Sequence, residues 1–250
     1  MRTILKVNDI TKIYSKGQKP SLNKVSFEVV EGEFIGIMGA SGSGKTTLLN
    51  VLSTIDKATD GEVYINDVNL KSLNDTRSAD FRRDNLGFIF QEYFLLDSLT
   101  IQENIAVPLT MQKLPPKKIE IKIKSLAERF GIASQLNKYP NELSGGQKQR
   151  VSAARAIVKE PSILFADEPT GALDSNSATE LLNALYEANN ELKTTILMVT
   201  HDPYAASFTN RILIFKDGHI VQELHKATNK NRQLFYEQIV KEISKLDINR

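Results

Sequence analysis

Gly39-Ala40-Ser41-Gly42-Ser43-Gly44-Lys45-Thr46 fits the pattern G-x-x-x-x-G-K-[ST], the spacing that wraps backbone amides around a phosphate. Glycines let the amides converge on phosphate oxygens, and a helix opening at the end of the loop adds a partial positive charge. In that chemistry Lys45 reaches the β- and γ-phosphates and the Thr46 hydroxyl ligates Mg2+. Asp167 and Glu168 close the apolar run Ile163-Leu164-Phe165-Ala166 and supply what a phosphate loop lacks. A buried strand ending in two carboxylates can hold Mg2+ through the first, Asp167, while the second, Glu168, polarises an attacking water. Taken alone, the pair could instead cap the turn at Pro169.

Both motifs need strands that end together and helices that start there. Val25, Phe27 and Val29 alternate with polar residues, Glu31-Gly32 turns the chain, and Glu33 to Met38 predicts a buried strand running into the phosphate loop. Leu48, Leu49, Val51, Leu52 and Ile55 then recur at helical spacing. Asp60-Gly61 opens a short strand over Glu62 to Asn66, and Phe88 to Phe90 is another apolar run, ending at Gln91. From there to Gly146 the signals turn helical and predict a helical subdomain, about residues 92–150, inserted in the core. Within it Ile119, Ile121 and Ile123 alternate like a strand. The longer pattern of Ile119, Ile123, Leu126, Ala127 and Phe130, stopped at Gly131, favours a helix opened by Pro115-Pro116. Ile163 to Ala166, Thr195 to Thr200 and Arg211 to Phe215 read as strands, Ser177 to Leu192 as a helix, and Lys216 to His219 as an Asp-Gly hairpin turn.

The rhythm is that of an α/β fold: a phosphate-loop NTPase core with a mainly parallel sheet, an N-terminal antiparallel β subdomain and an inserted α-helical subdomain. Residues 1–225 form this unit, and residues 226–250 a charged tail in which Phe235, Ile239 and Ile243 share one face of a small surface helix. Composition narrows the function further. The chain has 250 residues, 32 basic against 30 acidic, and no cysteine, which excludes disulfides, zinc ribbons and thiol catalysis. Nearly balanced charge leaves no electrostatic footprint for a nucleic-acid backbone, so no nucleic-acid partner is expected. Met1 to Ile10 lacks the apolar core of a secretion signal, and the longest apolar runs fall far short of a membrane span, so membrane association is expected only through a partner.

Leu143-Ser144-Gly145-Gly146-Gln147 completes a set that resembles the ATP-binding cassette (ABC) ATPases, with every expected motif present in order from about Ile4 to Val221. The resemblance implies ATP and Mg2+ as ligands, bound by the phosphate loop through Thr47 and shared between two copies in a head-to-tail dimer. Ser144, Gly145, Gly146 and Gln147 would clamp the γ-phosphate held by the partner copy's phosphate loop, and Asp174 would cross the interface. Gln91 resembles the glutamine that senses Mg2+ and the attacking water, and His201 the switch histidine that bonds the γ-phosphate. In open α/β sheets ligands gather at the carboxyl ends of strands, where Gln91, Asp167, Glu168 and His201 all fall. Tyr14 resembles the aromatic that stacks on adenine; the alternative is an ordinary strand aromatic.

For a single cassette without a spanning segment, the resemblance implies a separate transmembrane permease, with this chain peripheral on the cytoplasmic side of the cell membrane. Phe81-Arg82-Arg83, Gly87 to Gln91, Leu99-Thr100, Glu103-Asn104, Pro108, Ala166 to Gly171 and Leu173-Asp174-Ser175 resemble the branch serving lipoprotein release, macrolide efflux and antimicrobial-peptide resistance. Export or peptide defence is therefore expected. Three other roles compete: a mechanotransmission subunit without net transport, a ribosome-bound cassette, or a chromosome or repair ATPase. The short span from Thr46 to Leu143 leaves no room for the long coiled coil of the last class, and net charge +2 argues against a ribosome-bound cassette. Tyr93, Phe94, Leu95 and Leu96 are either the lining of a groove for the permease or core residues.

Overall fold

Apolar runs with no polar alternation demand cover on both faces, and a six-stranded sheet at the centre of the molecule meets that demand. Residues 2–15, 17, 19–227 and 231–248 are described in this computed structural model. Strands β3 (Phe34–Met38) and β8 (Ile196–Thr200) are buried at every position, and β7 (Ile163–Asp167) at all but its last. With β6 (Leu86–Ile89), β9 (Arg211–Lys216) and β10 (His219–His225) they form the order β10-β9-β3-β8-β7-β6. Every pairing is parallel except β10 with β9. Those two are joined by the expected turn, in which Asp217 (φ 49°) and Gly218 (φ 79°) both take positive φ, as a two-residue hairpin requires. The register sets Met38 opposite Thr200 and Asp167 opposite Val199, so three strand ends lie level at one edge.

Successive residues of these strands serve two cores. Ile35, Ile37, Leu197 and Val199 face an antiparallel sheet of β1 (Thr3–Lys12), β2 (Leu22–Val30), β4 (Asp60–Ile65) and β5 (Val68–Asn69), ordered β2-β1-β4-β5, with helix α1 (Lys45–Leu52) between. Phe34, Ile196 and Met198 face the helices: α3 (Ile101–Met111), α4 (Pro116–Arg129), α5 (Gly145–Ile157) and α6 (Ser175–Leu192). The stretch with conflicting patterns is helical, with proline in its first turn and Gly131 at φ 62° beyond its end. Most strand limits fall within a residue or two of expectation. The predicted subdomain limit at residue 150, in contrast, cuts α5 in the middle.

Two elements depart further from the reading of the sequence. Helix α2 (Asp75–Asn85) gave no apolar stripe, because only Ser78 and Phe81 are buried along it; Asn74 starts it by accepting a hydrogen bond from the Arg77 amide. Beyond α7 (Pro203–Ala206), the tail helix α8 (Arg232–Ile248) is more than a surface ornament. Phe235 and Ile239 are fully buried against Met38, Ala206, Ile212, Ile214 and Leu224, and the Arg232 guanidinium lies 4.3 Å from the Phe208 ring centre. Ile243 packs on the same cluster, as the shared face predicted. Residues 228–230 and 249–250 of the expected tail lie outside the described residues. Among the described residues no helix is long and apolar enough to cross a membrane.

Phe235→Ala removes a fully buried ring and is expected to cost about 3–5 kcal/mol, read from the midpoint of a urea unfolding curve. A loss below about 0.5 kcal/mol, the range of ordinary surface substitutions, would mean that α8 is not docked.

Candidate functional site

The phosphate loop is the connection between β3 and α1. Its last glycine, Gly44, caps α1 at φ 105°, where a side chain would also strike the Ser21 carbonyl, so no other residue fits the turn. Lys45, the first residue of α1, is 7% exposed, and its ammonium donates to the Gly39 carbonyl at 2.8 Å and the Ala40 carbonyl at 2.9 Å. Burial pulls Lys45 below the usual lysine range, while Glu168 and Asp167 opposite it pull back up. Asp167 is pushed up by burial and by the neighbouring Glu168 charge, against the downward pull of Lys45 and the Thr46 hydroxyl. One ammonium thus faces two carboxylates.

Glu168 begins the turn after β7 in a left-handed conformation, φ 47°, which an L side chain adopts only at a cost. Its backbone is held by hydrogen bonds: the amide donates to the Val199 carbonyl at 2.9 Å and the carbonyl accepts from the Gly171 amide at 3.0 Å. Its carboxylate meets His201, the first residue after β8. His201 Nδ1 lies 3.0 Å from Glu168 Oε2, and the His201 amide donates to the same oxygen at 3.3 Å. Both donors fall on Oε2, which leaves Oε1 for another partner. The reading of Asp167 and Glu168 as mere caps of the turn at Pro169 does not describe these side chains, whose partners lie across the sheet edge.

Two buried oxygens at this edge have no hydrogen-bond partner among the described residues: Ser43 Oγ and Asp167 Oδ1. Buried polar atoms are ordinarily satisfied, so both are arranged for something that arrives. No group of three or more histidine and acidic side chains gathers among the described residues. Mg2+ asks for only one or two carboxylates beside substrate phosphates, and Asp167 with the Thr46 hydroxyl bonded to it could supply such a partial site. A cavity of ≈ 450 Å3 opens beside the loop, lined by Gly39 to Ser43, His201 and, from the tail helix, Ile243.

Gln91 lies two residues beyond β6, exposed, with its amide against Gly171 in the turn after Glu168. Tyr14 lies past the end of β1, so it is not a strand aromatic. It is 56% exposed, its hydroxyl 3.5 Å from Thr47 Oγ1 and its ring beneath the Lys12 ammonium. The residues 144–147 open α5 instead: Ser144 accepts from the Gln147 amide, and the Gln147 side chain accepts from the Ser144 amide, a reciprocal cap. A side chain at Gly146 would collide with Ser177, so the start of α5 lies directly against α6. Asp174 caps α6, accepting from the Asn176 and Ser177 amides and from the Ser177 hydroxyl, which hold its carboxyl below the usual range.

The structure therefore gathers Lys45, Thr46, Asp167, Glu168, His201 and Gln91 at one sheet edge. Residues 144–147 and Asp174 form a second surface that shares no hydrogen bond with the loop among the described residues. Of the four possible groove residues, Phe94 and Leu96 are exposed, whereas Leu95 packs on the helical core. Sequence reasoning passed over Gln149, a buried amide that reads as an ordinary mid-helix polar residue, and gave Ile243 a place on the face of the tail helix but not at the cavity, whose other lining residues are distant along the chain.

The family model described as ABC transporter matches residues 22–171. The chain is 52% identical over 240 residues, 95% of its length, to the bacitracin export ATP-binding protein BceA of Halalkalibacterium halodurans, and covers 94% of that protein. It is 42% identical to the macrolide export ATP-binding/permease protein MacB of Vibrio parahaemolyticus over 90% of its own length but only 34% of MacB. Its fold matches the dimeric post-hydrolysis state of the cassette MJ0796 of Methanocaldococcus jannaschii, bound to ADP and Pi, with a TM-score of 0.80 and 38% identity. That match covers 89% of this chain and 98% of the other.

The raised pKa of Asp167 carries a sign. A carboxyl whose folded value lies above its unfolded one contributes stability at low pH, and that contribution is lost as pH rises through the folded value. At neutral pH the ionised group is a net cost. Asp167→Asn is therefore expected to raise the melting midpoint of the nucleotide-free protein at neutral pH. A lower midpoint in differential scanning calorimetry would contradict this.

Proposed function

The chain belongs to the ABC transporter family, and from that membership we propose an assignment of roles to its site residues and of a destination to its work. It is an ATP-binding, ATP-hydrolysing subunit of an exporter-type transporter, working with a membrane permease and a second copy of itself. The observation that carries the site assignment is the meeting of buried Lys45, unpartnered Asp167 Oδ1 and the His201-held Glu168 carboxylate at one sheet edge.

In this reading the amides of residues 39–44 and the Lys45 ammonium bind the triphosphate, exchanging the Gly39 and Ala40 carbonyls for phosphate oxygens. Thr46, Asp167 and Gln91 hold Mg2+, which when bound neutralises phosphate charge. Glu168 takes the proton of the attacking water on Oε1 as the new oxygen–phosphorus bond forms, and the bond from the γ-phosphorus to the bridging oxygen breaks to release ADP. His201 keeps Oε2 occupied and so fixes which oxygen acts as base. Tyr14, exposed beside Thr47, offers its face to the adenine. Ser144 to Gln147 and Asp174 act on the nucleotide of the partner copy in a head-to-tail dimer, a role compatible with their sharing no hydrogen bond with the loop among the described residues.

The permease holds this chain on the cytoplasmic side of the membrane, and the cargo is an antimicrobial peptide or a comparable toxic amphiphile. The likeness to a bacitracin export subunit over nearly the whole of both chains supports that destination. The insertion at residues 92–150, extended to the end of α5, receives the permease through Phe94 and Leu96, whose apolar side chains are otherwise exposed.

Glu168→Gln is expected to slow ATP hydrolysis by about two to four powers of ten with nucleotide binding retained, and turnover near wild type would remove Glu168 from its role. The same variant, purified from membranes with ATP and Mg2+, is expected to bring a polytopic permease with it. Phe94→Ala should reduce that recovery severalfold at an unchanged melting midpoint; recovery of ribosomes instead would overturn the transport reading.

A further inference from the structure

Helix α5 carries a row of polar side chains with no part in nucleotide binding or in the base. Gln149 is completely buried, and its side-chain amide donates to the Phe90 carbonyl at 2.8 Å and the Pro169 carbonyl at 2.7 Å. Two turns along, Arg155 donates to the Phe94 carbonyl at 2.6 Å and the Tyr93 carbonyl at 2.9 Å. The loop from Phe90 to Phe94 is thus hung from α5 at both ends, with Gln91 between the two attachments. Phe94 is held at φ 44°, a conformation the chain does not choose unaided.

The second partner of Gln149 matters more. Pro169 directly follows Glu168, itself held at φ 47°. One –NH2 group therefore ties the residue before Gln91 to the residue after Glu168, and does so from the helix that Ser144 opens. The group is costly to keep: the other end of the amide, Oε1, is buried with no hydrogen-bond partner among the described residues, as is Ser152 Oγ one turn further on. An apolar side chain would avoid that cost but leave the Phe90 and Pro169 carbonyls without this donor. Packing alone does not explain a glutamine here.

We infer that Gln149, supported by Arg155, is a positioning residue for hydrolysis: it fixes the spacing between the Gln91 loop and the Glu168 turn and transmits movement of α5 to both. The inference rests on the proposed roles of Gln91 and Glu168. Because a displacement of about 1 Å in a catalytic group can cost a hundredfold in rate, losing this tie should appear in turnover before it appears in binding.

The test uses the full chain and compares wild type, Gln149→Met, Arg155→Lys and Glu168→Gln for kcat, KM for ATP, the Mg2+ concentration giving half-maximal rate, and melting midpoint. Methionine nearly matches the volume of glutamine and cannot donate. We expect Gln149→Met to lower kcat about ten- to a hundredfold, with KM for ATP little changed and a higher Mg2+ requirement. Arg155→Lys, which cannot fork across two carbonyls, should lower kcat by a smaller factor with KM retained. A folded Gln149→Met with kcat within twofold of wild type overturns the inference, as does a rate that falls only in proportion to the folded fraction. If Gln149→Met does not fold, Arg155→Lys decides by the same criterion, and failure of both to fold assigns the pair to the scaffold and overturns the inference. Wild-type turnover by Glu168→Gln would instead defeat the assignment of the base, an outcome separate from the other two.

Discussion

Parallel pairing is the constraint on which the rest of this molecule depends. Strands that run the same way in register must end at the same edge, so Met38, Asp167 and Thr200 finish level and the segments they lead into are brought together. Those segments are the phosphate loop, Glu168 and His201. None of them is near another in sequence, and no local turn could assemble them. Burial of the strands on both faces then lowers the local dielectric, which is why one ammonium against two carboxylates matters here as it would not on a wet surface. One ammonium leaves a net negative charge on that pair of carboxylates, which favours a cation beside them.

The second surface arises from helix geometry rather than from the sheet. Ser144 and Asp174 each cap the helix they precede, and Gly146 lets the two starts approach until the backbone of α5 meets Ser177. These side chains are engaged in folding before any nucleotide arrives, and that rigidity gives α5 its use as a beam. At one end lie the cap residues, along its length Gln149 and Arg155 grip the 90–94 loop, and beside that loop stand the exposed side chains of Phe94 and Leu96. In the proposed roles, nucleotide, second copy and membrane partner would all bear on this single element.

How much of this could be read beforehand depended on whether the signal was local. The phosphate loop was legible because Gly39 to Thr46 carries its whole chemistry in eight consecutive residues. The Asp217-Gly218 hairpin was legible because positive φ at two adjacent positions selects those residue types. Helix α2 was not, since a helix that buries only Ser78 and Phe81 has no stripe to detect. Tyr14 was uncertain because the end of β1 is set by pairing with β2 and β4, not by its own residues. The docking of α8 and the clamp at Gln149 were invisible for the same reason: Phe235 meets Met38, and Gln149 meets Phe90, across long separations that composition does not record.

The tail also bears on how this protein is handled at the bench. Ile239 packs in the same cluster as Met38, the residue immediately before the phosphate loop, and Ile243 borders the cavity beside it. A fluorophore, affinity tag or surface tether joined beyond α8 would therefore pull on a helix that packs beside the phosphate loop. Attachment sites on the β2-β1-β4-β5 sheet lie on a different layer, with α1 and a whole core between them and α8.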